Sequence, residues 1–472
     1  MRKLNQRPKL IWMSQLLFSV SIASSCLVQG CEMKQFNISP GPTLSVTPSP
    51  ASVPVGWSQQ FSASIAGAST TAVTWSVNGV VGGSAASGTI SSSGMYSAPA
   101  VPPTPATVSV SAVSQTDGGL TGMASLHLTG LFAYVTDQLD ATLSAYSIGA
   151  TGTLTPLISN PISVGYKSFF LVADPQGKHL YVTDLNAGDL YAYEIDLRSG
   201  ALTQVGLPIT VGSGPRAIAV NPSGTALYVS CTDGAGVYGF SIDSTSGALT
   251  ALPGSPFPNT GLRPAAITLD PSGKFAILPN NASRNVSVYS VDPGTGRLAP
   301  VGGPYAAGTA PVWASTDQSG THAYVLSDID DTIDAYSIGS TGALSPLVPP
   351  KYQGVAADPL FSAISPNGQF FYVVNWFANV GAPFPGATVS VFSIDLASGA
   401  LAMISGSPFA TGLGPTSIAF EPSGKFAYVA NELGGTISGF SMNPATGAMT
   451  TLPSTVAAGR APTTIAIVTT TP

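Results

Sequence analysis

Apolar and polar residues alternate with a period of two along much of this chain. Between residues 43 and 129 the alternation runs through LSVTPSP (44–50), QQFSASIA (59–66), AVTWSVNG (72–79), GTISSSGMYSAP (88–99), ATVSVSAVSQTD (106–117) and MASLHLTG (123–130). Successive side chains of a strand point to opposite faces, so this pattern predicts half-buried strands. Six or seven strands in so short a stretch predict a small β-sandwich, with Trp75 and Tyr96 as its core aromatics.

A second pattern begins near residue 131. PSGKFAYVANE (422–432) has relatives at 175–184, 222–230, 271–280, 318–328 and 366–375. The units start near Ser168, Pro215, Pro264, Pro311, Pro359, Pro415 and Pro462, at spacings of 47, 49, 47, 48, 56 and 47 residues. Such a period signals a propeller or a solenoid. Each unit reads as an apolar strand such as TSIAF, a PSGK-type turn, a strand such as FAYVAN, a third such as TISGFSM, and a TGAL-type turn into a fourth. Four strands make one propeller blade. The TGAL element recurs seven times, at 151, 199, 246, 295, 341, 398 and 446. Its glycine is expected to supply a backbone conformation that other residues resist. The array opens in mid-unit at LFAYVTDQ (131–138) and stops after a lone first strand, PTTIAIV (462–468). That last strand is expected to complete the first blade and close the ring, burying three or four Ile- or Val-sized side chains. The chain is therefore expected to be all-β, with a sandwich over 43–129 and a seven-bladed propeller over 130–470.

Two resemblances follow. VTWSVNG and GTISSSGMYSAP resemble bacterial immunoglobulin-like domains of surface proteins, which implies a spacer or adhesion module without catalytic residues. LYVTD (180–184), GPTSIAFEPSGKFAYVANEL (414–433) and the TGAL turns resemble the seven-bladed lactonase family, which includes propeller-type 6-phosphogluconolactonases and, more loosely, YVTN-type surface repeats. This second resemblance covers the whole array. It implies the fold and a possible lactone hydrolysis, which needs a base to activate water and donors for the oxyanion.

Family members taken as lactonases carry a pattern like GPRHxxFHPxGKxxYVxNEL. Here Thr416 and Ser417 replace its Arg-His pair and Glu421 its second His, while Asn431, Glu432 and Leu433 match NEL. By blade order the motif belongs near 308–329, where Val312, Trp313, Asp317, Ser327, Asp328 and Ile329 stand instead. The chain has three histidines: His127 at the end of the sandwich, and His179 and His322 at one repeat position, read as structural. Glu432 has two readings, a strand-end turn residue or an acid in a site.

Composition narrows the partners. Charged residues are 8% of the chain, and Gly and Pro number 52 and 40, as befits short strands and tight turns. Arg2, Lys3, Arg7 and Lys9 precede an apolar stretch at 10–23, which reads as an export signal too short for a membrane span. LVQGC (27–31) looks like a bacterial lipobox with Cys31 as the lipidated residue; Cys26 is the alternative, and an unmodified cysteine after ordinary cleavage a third possibility. Residues 1–31 are thus signal and lipobox, and 32–42 a tether. Loss of residues 1–30 takes the net charge from −6 to −10, which argues against nucleic acid or anionic lipid as a partner. The membrane contact expected is the lipid anchor alone. Cys231, the one cysteine in the folded body, is expected to be buried; no disulfide, metal or cofactor is expected.

One face of the ring carries the loops into each first strand and those joining strands two and three. Arg216, Arg263, Trp313 and Arg460 fall in the first set; Asp328, Trp376 and Glu432 in the second. The longest unit carries its extra length in NWFANVGAPFPGATV (375–389), with Trp376, Phe377 and Phe384 as a plug or a ligand-contacting lip. Three functions are open. The first is an exported, lipid-anchored protein binding a carbohydrate, lactone or surface protein through this face. The second is a lactone hydrolase using Glu432 or Asp328 with Arg216 or Arg263. The third is a structural or adhesive surface component.

Overall fold

The computed structural model describes residues 42–471, apart from 50, 68–71, 159–160, 234–235, 354 and 377–386. The expected export signal, both candidate lipidation cysteines, nearly all of the tether, and Phe377 and Phe384 lie outside the described residues. Every regular element among the described residues is a strand.

The array forms a ring of seven antiparallel blades. In the seventh, Pro415–Phe420, Phe426–Asn431, Thr436–Met442 and Met449–Thr451 pair in chain order. Burial explains the composition of each strand. All six residues of FAYVAN are buried, because a second strand is covered on both faces by neighbouring blades. In the outermost strand only Met449 is buried. The fourth blade departs slightly: its first strand shrinks to Thr268–Leu269 plus a bridge between Pro264 and Asn280.

The ring closes as the sequence predicts. Pro462–Thr470 pairs antiparallel with residues 130–137, setting Phe132 opposite Val468 and Tyr134 opposite Ala466. Ile465 and Val468 are buried there and Ile467 partly so, fewer apolar side chains than expected; Pro462, Thr463, Thr464 and Thr470 fill other buried positions.

Neighbouring blades are tied by one repeated hydrogen bond. In six of the seven blades the second-strand tyrosine donates to the glycine carbonyl of the next blade's TGAL turn. Tyr134 reaches Gly200 at 2.7 Å, Tyr181 Gly247 at 3.2 Å, Tyr228 Gly296 at 2.6 Å, Tyr324 Gly399 at 2.9 Å, Tyr372 Gly447 at 2.8 Å and Tyr428 Gly152 at 2.8 Å. The last joins blade seven to blade one. The fourth blade has Ile277 at this position and lacks the tie. These glycines have left-handed φ, for example 70° at Gly247. A Cβ on Gly247 would lie 2.3 Å from His179 Cδ2, and one on Gly399 2.4 Å from His322 Cδ2. Both histidines are buried and bonded through Nδ1, to Asp174 at 2.8 Å and Asp317 at 2.9 Å. They pack blade against turn, away from the mouth loops.

The N-terminal residues form a two-stranded sheet, a four-stranded sheet and part of a nine-stranded sheet continuous with the first blade, with Trp75, Tyr96 and Phe61 buried in a shared core. Their connection to the propeller is not a linker. A single strand, Thr121–Asp137, pairs with Thr107–Ser114, then in parallel with Ala51–Pro54, then with the ring-closing strand. The boundary drawn at 129/130 falls inside it. Trp57 packs edge-on against Phe426 at 6.0 Å between centroids, and the Lys425 ammonium lies 5.4 Å from the Trp57 ring centroid. Those contacts lie on the PSGK-turn side of the ring, opposite the end at which the long strand reaches Asp137.

Burying Ile465 and Val468 contributes roughly 3–6 kcal/mol, comparable with the net stability of a domain. Truncation after Ala461 is therefore expected to abolish the cooperative thermal transition followed by circular dichroism. A truncated protein melting at the wild-type temperature would refute this closure.

Candidate active site

Strand geometry builds a ring of equivalent positions at the channel mouth. Just past the end of every second strand, one backbone N–H donates to the carbonyl of the residue before the first strand of the same blade. The seven donors are Gln138, Leu185, Thr232, Asn281, Asp328, Trp376 and Glu432, and their acceptors are Ala461, Lys167, Gly214, Arg263, Ala310, Asp358 and Gly414. Six of these acceptors have φ between 54° and 68°, a region natural for Gly214 and Gly414 but strained for Arg263, Ala310, Asp358 and Ala461. Glu432 thus occupies the ring position whose counterparts one and two blades earlier are Trp376 and Asp328.

Inside the mouth lies a cavity of about 390 Å³ to which all seven blades contribute. Its volume lies within the usual range for small-molecule sites. Its apolar part is a run of aromatic rings across the channel: Phe170 lies 5.6 Å from Trp313, and Trp313 4.3 Å from Phe361. The Trp313 indole donates to the Ser362 carbonyl at 3.1 Å, so this ring is fixed.

The polar part is asymmetric. Arg216 lines the cavity with its guanidinium carbon 5.6 Å from the Phe169 ring centroid. Burial, followed by the charge of Arg263, lowers its pKa, while Asp328 acts in the opposite direction; a guanidinium stays charged regardless. Asp328, Asp358 and Glu432 line the same cavity. The Asp328 carboxyl is pushed up to about 6, by burial first and then by the charges of Asp358 and Asp331, against the pull of Arg216. The Asp358 carboxyl is raised by burial and by Asp331. Neither carboxylate accepts a hydrogen bond among the described residues. Elsewhere in the array acids are engaged: Asp174, Asp270, Asp317 and Glu421 each hold backbone N–H groups of a PSGK-type turn. Glu432 accepts from the Trp376 indole at 2.8 Å, fixing two neighbouring blades to each other.

Of the residues singled out from the sequence, Arg216, Trp313, Asp328, Trp376 and Glu432 meet in this cavity. Arg263 and Arg460 do not. Arg263 is exposed and borders a separate depression beside Asp233. Arg460 points along the rim, its Nε 2.5 Å from Asp140 Oδ1. Asp358 was not singled out. Its signal was a charged residue directly before the first-strand proline, where two units have glycine. None of the three histidines lines the cavity. Cys231 is fully buried, its thiol pushed up to about 12 by burial. No His/Cys/Asp/Glu cluster able to hold a metal exists among the described residues.

The family model described as "Lactonase, 7-bladed beta-propeller" matches residues 123–257 and 304–466. The chain belongs to the seven-bladed lactonase family. Among its relatives, a 6-phosphogluconolactonase of Formosa agariphila is 31% identical over 139 residues, covering 29% of this chain. One of Serratia proteamaculans is 24% identical over 200 residues, covering 40% of it. These matches span 37% and 56% of the relatives' own lengths, less than two thirds of either. The Pseudomonas aeruginosa periplasmic gluconolactonase PpgL superposes with a TM-score of 0.61 at 21% identity, over 72% of this chain and 100% of that one. A Lactobacillus plantarum protein gives 0.61 at 18%, over 72% and 99%. At these identities the likeness establishes the fold. This lactonase-family propeller differs from the family motif in having a cavity that carries acids and one arginine but no histidine.

A carboxyl whose folded pKa is raised stabilises the fold most fully at low pH, where it is protonated. That contribution is lost as pH rises from about 4 through about 6. Asp328→Asn is therefore expected to gain on the wild type by about 1 kcal/mol between pH 4 and pH 8, after allowance for partial solvent screening. Urea melts at the two pH values measure the gap; a gap independent of pH would contradict the assigned environment.

Proposed function

We propose that this lactonase-family propeller hydrolyses a lactone in its axial cavity, with Asp328 as the general base and Arg216 as the oxyanion donor. The observation that carries this reading is the pairing of an unbonded, half-buried Asp328 carboxyl near pKa 6 with an arginine that makes no ion pair among the described residues. A carboxylate at its ordinary value near 4 is a weak base, whereas one near 6 is both ionised and useful at neutral pH. Above that value Asp328 takes a proton from water as the water oxygen attacks the lactone carbonyl. The carbonyl oxygen becomes the oxyanion of the tetrahedral intermediate, facing the Arg216 guanidinium. Collapse breaks the ring C–O bond, and the departing alkoxide recovers the proton from Asp328, giving a hydroxy acid whose new carboxyl group then loses its proton to solvent. The product carboxylate is then repelled by Asp358 and Glu432, which favours release. The relatives named as 6-phosphogluconolactonases support the reaction class. Hydrolysis has this support over ligand binding alone, which predicts no such base.

Proton release from a panel of sugar and aliphatic lactones is expected to exceed the uncatalysed rate. The kcat/KM is expected to rise with pH through about 6 and then level off. Asp328→Asn should lower kcat by about 100-fold or more and remove that rise. No release above background, or an Asn variant with an unchanged profile, would refute the assignment.

Export and lipid attachment at Cys31 form a separate part of the proposal, supported by the basic start, the apolar stretch and LVQGC. Labelled palmitate is expected to enter the wild type and Cys26→Ser but not Cys31→Ser. Equal labelling of all three would overturn it.

A further inference from the structure

The supply of hydrogen-bond donors limits what this cavity can hold. Trp376 Nε1 is given to Glu432, and Trp313 Nε1 to the Ser362 carbonyl. The three lining threonines are engaged within the ring: Thr463 and Thr464 donate to the Phe169 carbonyl and Thr416 to that of Pro462. Among the described side chains lining the cavity, Arg216 alone remains as a free donor. In sequence, FANVGAPFPG (377–386), which follows Trp376, contains no Lys or Arg. If Arg216 holds the oxyanion, no free donor remains among the described side chains of the cavity to hold a phosphate, and three carboxylates oppose one.

Acceptors are in surplus. The Asp358 carboxylate lines the cavity without a hydrogen-bond donor of its own among the described residues. Its backbone is tied on both sides, since its N–H donates to Asp331 Oδ1 at 2.9 Å and its carbonyl accepts from the Trp376 N–H at 3.0 Å. A fixed, partly desolvated acceptor of this kind suits the hydroxyl groups of a substrate. The rings of Phe169, Trp313 and Phe361 offer an apolar surface for the carbon skeleton.

We infer that the substrate is an uncharged, polyhydroxylated lactone, an unphosphorylated sugar lactone, whose hydroxyls are bound by Asp358. The inference rests on the hydrolytic reading above and adds the substrate class. It differs from what the names of the 6-phosphogluconolactonase relatives suggest. Asp358 is a specificity-determining residue here, distinct from the base Asp328. Arg263, exposed one blade beyond Arg216 and outside the cavity, is the cation that an anionic substrate would have to recruit.

The test compares kcat/KM for glucono-δ-lactone, its 6-phosphate and δ-valerolactone. The unphosphorylated sugar lactone should exceed the phosphate ester by about tenfold or more, one charge-assisted contact's worth of discrimination. Asp358→Asn should raise KM for glucono-δ-lactone by about tenfold, a loss several times larger than on δ-valerolactone, which has no hydroxyls. Arg263→Ala should leave both neutral substrates unchanged. Preference for the 6-phosphate, lost in Arg263→Ala, would overturn the inference while leaving hydrolysis intact. Absence of turnover on all three would instead refute the hydrolytic reading. In that event calorimetric titration with glucono-δ-lactam and its 6-phosphate still decides: tighter binding of the neutral lactam supports the inference, tighter binding of the phosphate overturns it.

Discussion

The hydrogen bond from a buried tyrosine of one blade to the turn glycine of the next ties six of the seven blade interfaces and organises the ring. A propeller blade cannot bury both faces of its second strand alone, so its stability is the stability of its contacts with two neighbours. The tyrosine hydroxyl is a polar group deep in an apolar interface and must find a partner. The glycine carbonyl supplies it only because the turn adopts a left-handed φ and because the absent side chain leaves room for a ring beside it. At Gly247 and Gly399 that ring is a histidine. Two residues that might have been read as chemistry are therefore packing elements, each bonded to the acid that also caps its own turn.

The same constraint governs the attachment of the N-terminal sheets. Strand two of the first blade must be covered on both edges. Its inner edge takes the chain's last strand, and its own upstream extension becomes a strand of the N-terminal sheet. Backbone pairing thus runs without a break from that sheet into the first blade. The mouth is left at the far end, and the turns of the seventh blade pack beneath Trp57.

At the mouth, identical backbone geometry is used for different purposes. Seven equivalent N–H to carbonyl bonds fix seven side-chain positions, and most carry neutral residues. Only three consecutive blades place Asp328, Trp376 and Glu432 there. Two of these are committed to each other, and Asp328 is left half-buried, its carboxyl under the like charge of Asp358 and the opposing charge of Arg216. Its raised pKa comes from burial and like charge; Asp137, also raised to about 6 by burial, differs in accepting hydrogen bonds from the Ser144 hydroxyl and the Gly459 N–H. Acids in such surroundings mark functional sites more often than chance.

Much of this was legible in the sequence. Period-two alternation, the recurring TGAL turn and the unmatched strands at the array's two ends determined an all-β chain and a closed seven-bladed ring, because strand burial and glycine turns leave local, periodic marks. Asp328, Trp376 and Glu432 were also identifiable as one repeat position. What sequence could not decide was which charges share a cavity. Arg216 and Arg263 look alike at the starts of adjacent units, yet one lines the channel and the other faces solvent. Asp358 carried no motif, and its role emerges only when residues from blades three, five and six converge. The continuous strand across residue 130 was likewise hidden, since the alternation has the same period on both sides of the boundary. Local pattern specifies what each strand buries. Convergence across the ring, and with it the competition for hydrogen-bond donors at the mouth, exists only after the last strand has closed the first blade.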